Sequence, residues 1–217
     1  MIHTIILNGV HSAVDKVELA RSIQTAAKGK TDYKYLDPCL NVSKKITAEY
    51  KTVGHMIAEV LEKERMGDYK GSTVQVTPHI TEEIRKWIVK TEAKNTVTVI
   101  GGNVGDLENQ LAIEAVREMT LKEDVRIVLY VPVPYLKAAG EIKTKPVQHS
   151  VKELMRMGIM PYALCLKSDM DLRENELRKI AMFTGVPQDR IVWHTNGLGD
   201  CGKKLARAIY GNKRQQL

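Results

Sequence analysis

Short apolar runs alternate with segments of helical period along this chain. Residues 2–7 form a run suited to a buried strand, and residues 17–27 follow with Leu19, Ile23 and Ala27 at helical spacing. Residues 33–36 read as a second short strand. Val53, Met56, Ile57, Val60 and Leu61 define an amphipathic helix ending near Gly67. Residues 73–77 read as a strand stopped by Pro78, and Ile84, Trp87 and Ile88 mark the next helix. The β-branched run 96–100 enters Gly101-Gly102, residues 107–119 are helical, and 125–133 is a long apolar strand ending at Pro134. Helices over 151–157, 177–183 and 204–209 then alternate with strands over 162–166 and 191–193. Such alternation predicts βαβ units, hence an α/β fold with a mostly parallel sheet and helices on both faces. Ligands of such sheets bind beyond the carboxyl ends of the strands, where the strand order switches direction. The loops after Leu7, Ile100, Val133 and Leu166 are therefore the places to look.

Length and composition narrow this picture. The 217 residues, 43% of them hydrophobic, fit one domain over 1–217 with a real core. No run approaches the roughly 18 apolar residues that span a membrane. The opening Met-Ile-His-Thr-Ile-Ile-Leu lacks a basic flank and reads as a first strand, not a signal peptide. Cys39, Cys165 and Cys201 are odd in number and far apart, which argues against a disulfide framework or a zinc site. A reducing compartment, the cytoplasm, is the expectation. The six histidines show no metal-ligand spacing, so no metal site is assigned, and no Ser/His/Asp triad can be assembled.

A net charge of +7 admits a nucleic-acid partner. The lysines are dispersed, however, with one concentration at Lys203, Lys204, Arg207, Lys213 and Arg214, and Phe183 is the sole phenylalanine, so no stacking ladder is evident. A pocket for a triphosphate uses the same charge on a smaller ligand, and nucleic acid is not expected.

Three loops could carry chemistry. The first, Asn8-Gly9-Val10-His11-Ser12-Ala13-Val14-Asp15-Lys16-Val17, joins a strand to a helix through a glycine and a lysine, as a phosphate loop does. Only Gly9 remains of the glycines such a loop needs, so an ordinary turn is an equal reading. The second, Gly101-Gly102-Asn103-Val104-Gly105-Asp106-Leu107-Glu108, places glycines at a strand end. Asp106 and Glu108 could accept from a ribose or a base amine, or could simply complement a helix dipole. In the third, Lys143-Thr144-Lys145-Pro146-Val147-Gln148 stands at a strand-to-helix crossover. Two lysines there bring charge to a triphosphate, unless they are a solvated pair.

Several segments resemble the synthetase (amidoligase) domain of the CTP synthase family. They are 36–42 (Leu-Asp-Pro-Cys-Leu-Asn-Val), 62–81 (Glu-Lys-Glu-Arg-Met-Gly-Asp-Tyr through Thr-Pro-His-Ile-Thr), 101–108, 133–154 and Lys167-Ser168-Asp169. They occur in the family's order over about 2–192, ahead of a divergent helix at 200–217. The resemblance implies a P-loop NTPase-like fold, assembled as a homo-oligomer (dimer or tetramer) with nucleotide sites between subunits. It implies a ligase that phosphorylates UTP with ATP and magnesium, then displaces the phosphate with ammonia from a glutaminase domain to give CTP. Carried over by position, Ser12, Asp106, Glu108, Lys143, Thr144, Lys145, Pro146, Gln148 and Lys179 match nucleotide-binding residues. Val147 stands where threonine is usual, and Lys16 matches the phosphate-loop lysine that would serve catalysis.

The departures fall on one side of this chemistry. Asp15 and Val17 replace glycines beside Lys16, and Tyr35 replaces a lysine. The segment holding one magnesium aspartate is missing, with 43–51 bridging the gap, and Val99 stands where the second carboxylate belongs. The glutaminase domain is not in this sequence. The resemblance therefore implies UTP or CTP as ligand, with ATP and magnesium binding lost or weakened, in a nucleotide sensor or a partner of a CTP synthase. The alternative is an active ligase using free ammonia or a separate amidotransferase, with Asp15, Asp37 or Glu49 as substitute metal ligands.

Overall fold

The computed structural model describes residues 1–11 and 15–211. Seven strands form one parallel sheet: β1 (Ile2–Asn8), β2 (Thr31–Asp37), β3 (Tyr50–Thr52), β4 (Asn95–Asn103), β5 (Asp124–Val133), β8 (Ala163–Ser168) and β9 (Ile191–His194). Their order across the sheet is β3-β2-β4-β1-β5-β8-β9. A two-stranded antiparallel hairpin, β6 (Tyr135–Leu136) and β7 (Glu141–Ile142), stands beyond the carboxyl end of β5. The helices are α1 (Lys16–Ala26), α2 (Val53–Arg65), α3 (Thr81–Val89), α4 (Gln110–Thr120), α5 (Lys145–Arg156), α6 (Glu174–Thr184) and α7 (Cys201–Gly211).

Strand side chains alternate between two cores, as the pleat requires. Ile5 and Leu7 pack with α2 through α6, whereas Ile6, Val97, Val99, Val128 and Cys165 pack with α1 and α7. Helical connections running one way across the sheet thus use one face, and α1, which makes the reverse step from β1 to β2, uses the other; the second reverse step, β2 to β3, has no helix. Right-handed crossovers impose this arrangement. Buried strands with apolar residues on both faces are what the continuous apolar runs at β1, β4 and β5 express.

Local chemistry fixes the helix ends. Thr52 caps α2 by accepting from the His55 amide at 3.1 Å. Pro146 occupies the first turn of α5, where its missing N–H costs nothing, and Gly185 closes α6 in the left-handed region. Buried Lys34 donates from Nζ to the carbonyls of Trp87, Ile88 and Lys90, which closes the end of α3. Gly202 lets α7 lie directly on α1, because a Cβ there would stand 2.0 Å from Ser22 Oγ.

The expected strand at 73–77 is not one. Residues 72–75 have no regular secondary structure, are most of them exposed, and lead through an extended Gln75 into an irregular helical turn, Val76–Ile80. The segment joins α2 to α3 outside the sheet, so its β-branched residues have no neighbouring strand to pair with. Two elements were not anticipated, the edge strand β3 and the hairpin β6–β7. α5 begins six residues before the expected helix start at 151, because Lys145 and Pro146 form its first turn. Of the divergent helix expected at 200–217, α7 accounts for Cys201–Gly211; the remainder, with Lys213 and Arg214, lies outside the described residues. Among the described residues no helix is long and apolar enough to cross a membrane.

Candidate functional site

The strand order reverses direction between β1 and β4. α1 leaves β1 toward β2, and α4 leaves β4 toward β5, so a crevice opens above these two strands. Asn8 and Asn103 are register partners at its floor, and Asn8 Nδ2 donates to Asn103 Oδ1 at 3.4 Å. The buried Oδ1 atoms of Asn8 and Asn109 have no hydrogen-bond partner among the described residues. Gly9 is required here. A Cβ at this position would meet Ser150 Oγ at 2.4 Å, so only a bare backbone can pass so close to α5.

Lys16, the first residue of α1, turns into the protein and is only 8% exposed. Its Nζ donates to the carbonyls of Ile100 and Gly102, both at 2.6 Å, tying α1 to the end of β4. Burial pulls the ammonium down to about 8, opposed by the charge of Asp106. Asp15 caps the same helix: one carboxylate oxygen accepts from the amides of Val17 at 2.9 Å and Glu18 at 3.0 Å. These are first-turn amides of the kind that a helix N-terminus offers to a bound phosphate. Ser12 lies outside the described residues.

Asp37 and Glu49 are also engaged. Asp37 accepts from the Cys39 amide at 3.0 Å, Lys44 Nζ at 3.0 Å and Tyr50 Oη at 2.8 Å. Burial pushes its carboxyl up, but these hydrogen bonds together outweigh burial and hold it down at about 2. Glu49 pairs with Arg21 at 3.2 Å.

The lysine-bearing segment 143–148 is built on the β5–α5 crossover. The Lys143 amide donates to Pro134 O at 2.9 Å, which folds the hairpin back over the sheet end. Lys143 Nζ pairs with Glu141, two residues earlier on the same side of the hairpin. Thr144 is buried at the start of α5, and its hydroxyl accepts from Gln148 Nε2 at 3.2 Å. Lys145 is exposed, Pro146 half-buried, and Val147 points into the core on the same side as Val151 and Leu154. A cleft of about 360 Å³ opens beside this segment, lined by Thr144, Glu141, Tyr135, Arg173, Asn175 and Lys179. Lys179 reaches it from the exposed face of α6. Tyr135 and Arg173 were not singled out from sequence. The signal was available in Lys167-Ser168-Asp169, because Asp169 Oδ2 accepts the Tyr135 amide at 2.9 Å and so sets that wall.

Asp106 stands elsewhere. It accepts from the Asn103 amide at 2.9 Å and from Asn103 Nδ2 at 3.0 Å, closing the turn after β4. It lines a second cleft of about 500 Å³ with Val10, Gly105, His149, Lys152 and Arg156. Glu108 is exposed on the short turn Leu107–Asn109. Thus α5 runs from one cleft at Thr144 to the other at His149 and Arg156. One copy of the chain places Lys179 and Asp106 in different clefts, not in one.

The model of the CTP synthase N-terminus matches residues 9–198. Over 146 residues, 65% of this chain, the sequence is 45% identical to the CTP synthase of Aquifex aeolicus (strain VF5). The matched region spans 28% of that relative's length.

Proposed function

Because the chain belongs to the family of the CTP synthase N-terminus and shares its P-loop-like α/β fold, we propose that it binds a pyrimidine nucleoside triphosphate, UTP or CTP, with its ATP–magnesium ligase chemistry lost or weakened. Lys143, Lys145 and Lys179 meet the triphosphate by charge. Buried Thr144 lines the cleft, and Gln148 holds its hydroxyl in place from one turn further along α5. Asp106 lines the second cleft, with Glu108 exposed on the turn that follows, and a homo-oligomer, dimer or tetramer, brings that cleft of one copy to the lysine cleft of the next. Ser12 joins the site from the β1–α1 loop.

One observation carries the loss of ATP chemistry: the Asp15 carboxylate sits on the amides of Val17 and Glu18. A phosphate at that helix end would have to displace a bonded carboxylate of its own sign. Lys16, the one cation of the loop, is committed to two carbonyls of β4. Asp37 and Glu49, the other candidate metal carboxylates, are held by Lys44, Tyr50 and Arg21. Residues so engaged do not fit a magnesium–triphosphate cradle, which phosphoryl transfer requires to be pre-organised. The protein then acts as a nucleotide sensor or as an assembly partner of a CTP synthase, in the cytoplasm.

Calorimetric titration with UTP, CTP and ATP, each with and without magnesium, tests this. The expected result is saturable binding of UTP or CTP without magnesium and none of ATP. Magnesium-dependent ATP binding with UTP-stimulated hydrolysis overturns it in favour of an active ligase supplied with ammonia by itself or by a separate amidotransferase.

A further inference from the structure

At the β3 edge of the sheet, on the face that carries α1, three tyrosines come together. Tyr33 and Tyr35 share that face by strand alternation, and Tyr50 is the register partner of Tyr35 on β3. The rings of Tyr35 and Tyr50 lie nearly parallel, 17° apart with centroids at 6.0 Å. The Arg21 guanidinium covers Tyr33 at 3.7 Å from its ring centre. Together with Asp37, Lys44 and the 47–49 segment these rings form an open cup of about 430 Å³, a volume within the range of small-ligand sites. Tyr33 is buried beneath Arg21 of α1 and forms the wall of the cup, whereas the half-buried rings of Tyr35 and Tyr50, with Lys44 at 6.0 Å from the Tyr50 ring centre, line its open part.

The cup adjoins the crevice already described. A Cβ on Gly101 would stand 3.2 Å from Tyr35 Oη, and Gly101 lies between the two residues whose carbonyls hold Lys16. Among the described residues the phenol oxygens of Tyr33 and Tyr35 have no hydrogen-bond partner, whereas that of Tyr50 is fixed on Asp37. The charges around the cup are already matched, Lys44 with Asp37 and Arg21 with Glu49. What remains to offer is flat aromatic surface and two unspent hydroxyls.

From this juxtaposition we infer that the tyrosine cup is a second ligand site, distinct from the lysine cleft, and that it takes the purine or pyrimidine ring of a nucleoside by stacking. A triphosphate is the wrong ligand for it, because its cations are spent and two carboxylates flank it. A planar heterocycle matches it: ring faces accept any base, and free hydroxyls can give to and accept from ring nitrogens and carbonyls.

The test follows the tyrosine ring resonances of the full chain by NMR as uridine, adenosine or guanosine is added. Saturable upfield shifts at Tyr35 and Tyr50 are expected with at least one of these nucleosides. Tyr50→Leu should weaken that nucleoside by about 5- to 150-fold, the range set by loss of one aromatic stack. Tyr50→Phe should retain it, since the ring survives without the bond to Asp37. Lys143→Ala with Lys145→Ala, aimed at the lysine cleft, should leave the nucleoside shifts in place. Absence of saturable shifts with all three nucleosides overturns the inference, and this reading on the unmodified chain stands even if a variant does not fold. Equal affinity of Tyr50→Leu overturns it as well, as do shifts that vanish with the two lysines.

Discussion

Lys16 divides two readings of the β1–α1 loop, and replacing it with methionine separates them. In the structure the ammonium bridges α1 to the carbonyls of Ile100 and Gly102, in a pocket that leaves it 8% exposed. Methionine fills much of the same space but gives both carbonyls nothing. Each lost bond to a charged donor is worth about 1.5–3 kcal/mol, and a buried acceptor left unsatisfied costs about 1–3 kcal/mol. Relief from burying a charge offsets part of this, so the expected net loss is about 2–3 kcal/mol. For a chain of this size that lowers the melting temperature by roughly 5–10 °C. Urea and thermal denaturation at pH 7 provide the measurement, with UTP affinity determined alongside. A structural strut predicts a clear loss of stability and little change in affinity for UTP. A working phosphate-loop lysine predicts the reverse, and a melting shift under 1 °C with collapsed nucleotide binding would refute the reasoning.

Other consequences are as specific. Burial pulls Lys16 and Lys34 down to about 8, below the ordinary lysine value near 10.5. Between those values the unfolded chain holds more protons than the folded one, so these groups make stability rise from pH 8 toward 10.5 and lose that contribution as pH falls through 8. Chemical denaturation across that window should show a smaller upward slope in Lys34→Met than in the parent chain. Lys143→Ala with Lys145→Ala should weaken UTP or CTP by roughly tenfold or more for each phosphate left without its lysine, and should flatten the dependence on salt. Glu141→Gln removes the partner of Lys143 and should strengthen triphosphate binding about two- to fivefold, the scale of an exposed ion pair; weaker binding would mean that Glu141 itself holds the ligand. Gly9→Ala forces a methyl onto Ser150 and should cost about 1–3 kcal/mol in a denaturation series.

The sheet and its helices were legible because buried parallel strands need continuous apolar runs and covering helices need a 3.6-residue period. Ile2 to Leu7, the 96–100 run and the 125–133 run meet the first condition, and Val53 to Leu61 the second. β3 escaped notice because three residues between polar neighbours carry no period. The hairpin did so for the same reason, each of its strands being two residues long. The error at 73–77 has the opposite cause. β-branched residues suit a pleated surface, but pairing is a tertiary matter that propensity does not see. Of the candidate site, the loops were legible because every strand of a parallel sheet ends on the same edge. That Asp106 and Lys179 line different clefts was not, since it depends on which side of α5 each loop falls. Nor was the tyrosine cup, which needs Tyr50 in register with Tyr35 across a connection that, in sequence, only bridges a gap.

Pairing of α1 with α7 has a consequence for how the chain is made. One core is lined by helices spaced evenly through the sequence, and it can close step by step as synthesis proceeds. Among the described residues the other is covered by two helices, Leu19, Ala20 and Ile23 of the first meeting Leu205, Ala206 and Ile209 of the last. Until α7 leaves the ribosome, Cys165 and Val192, on strands away from α1, have helices on one side and water on the other. Growing chains should therefore carry a sticky, half-covered sheet for most of their synthesis, and chaperone dependence should end abruptly once the α7 segment is free.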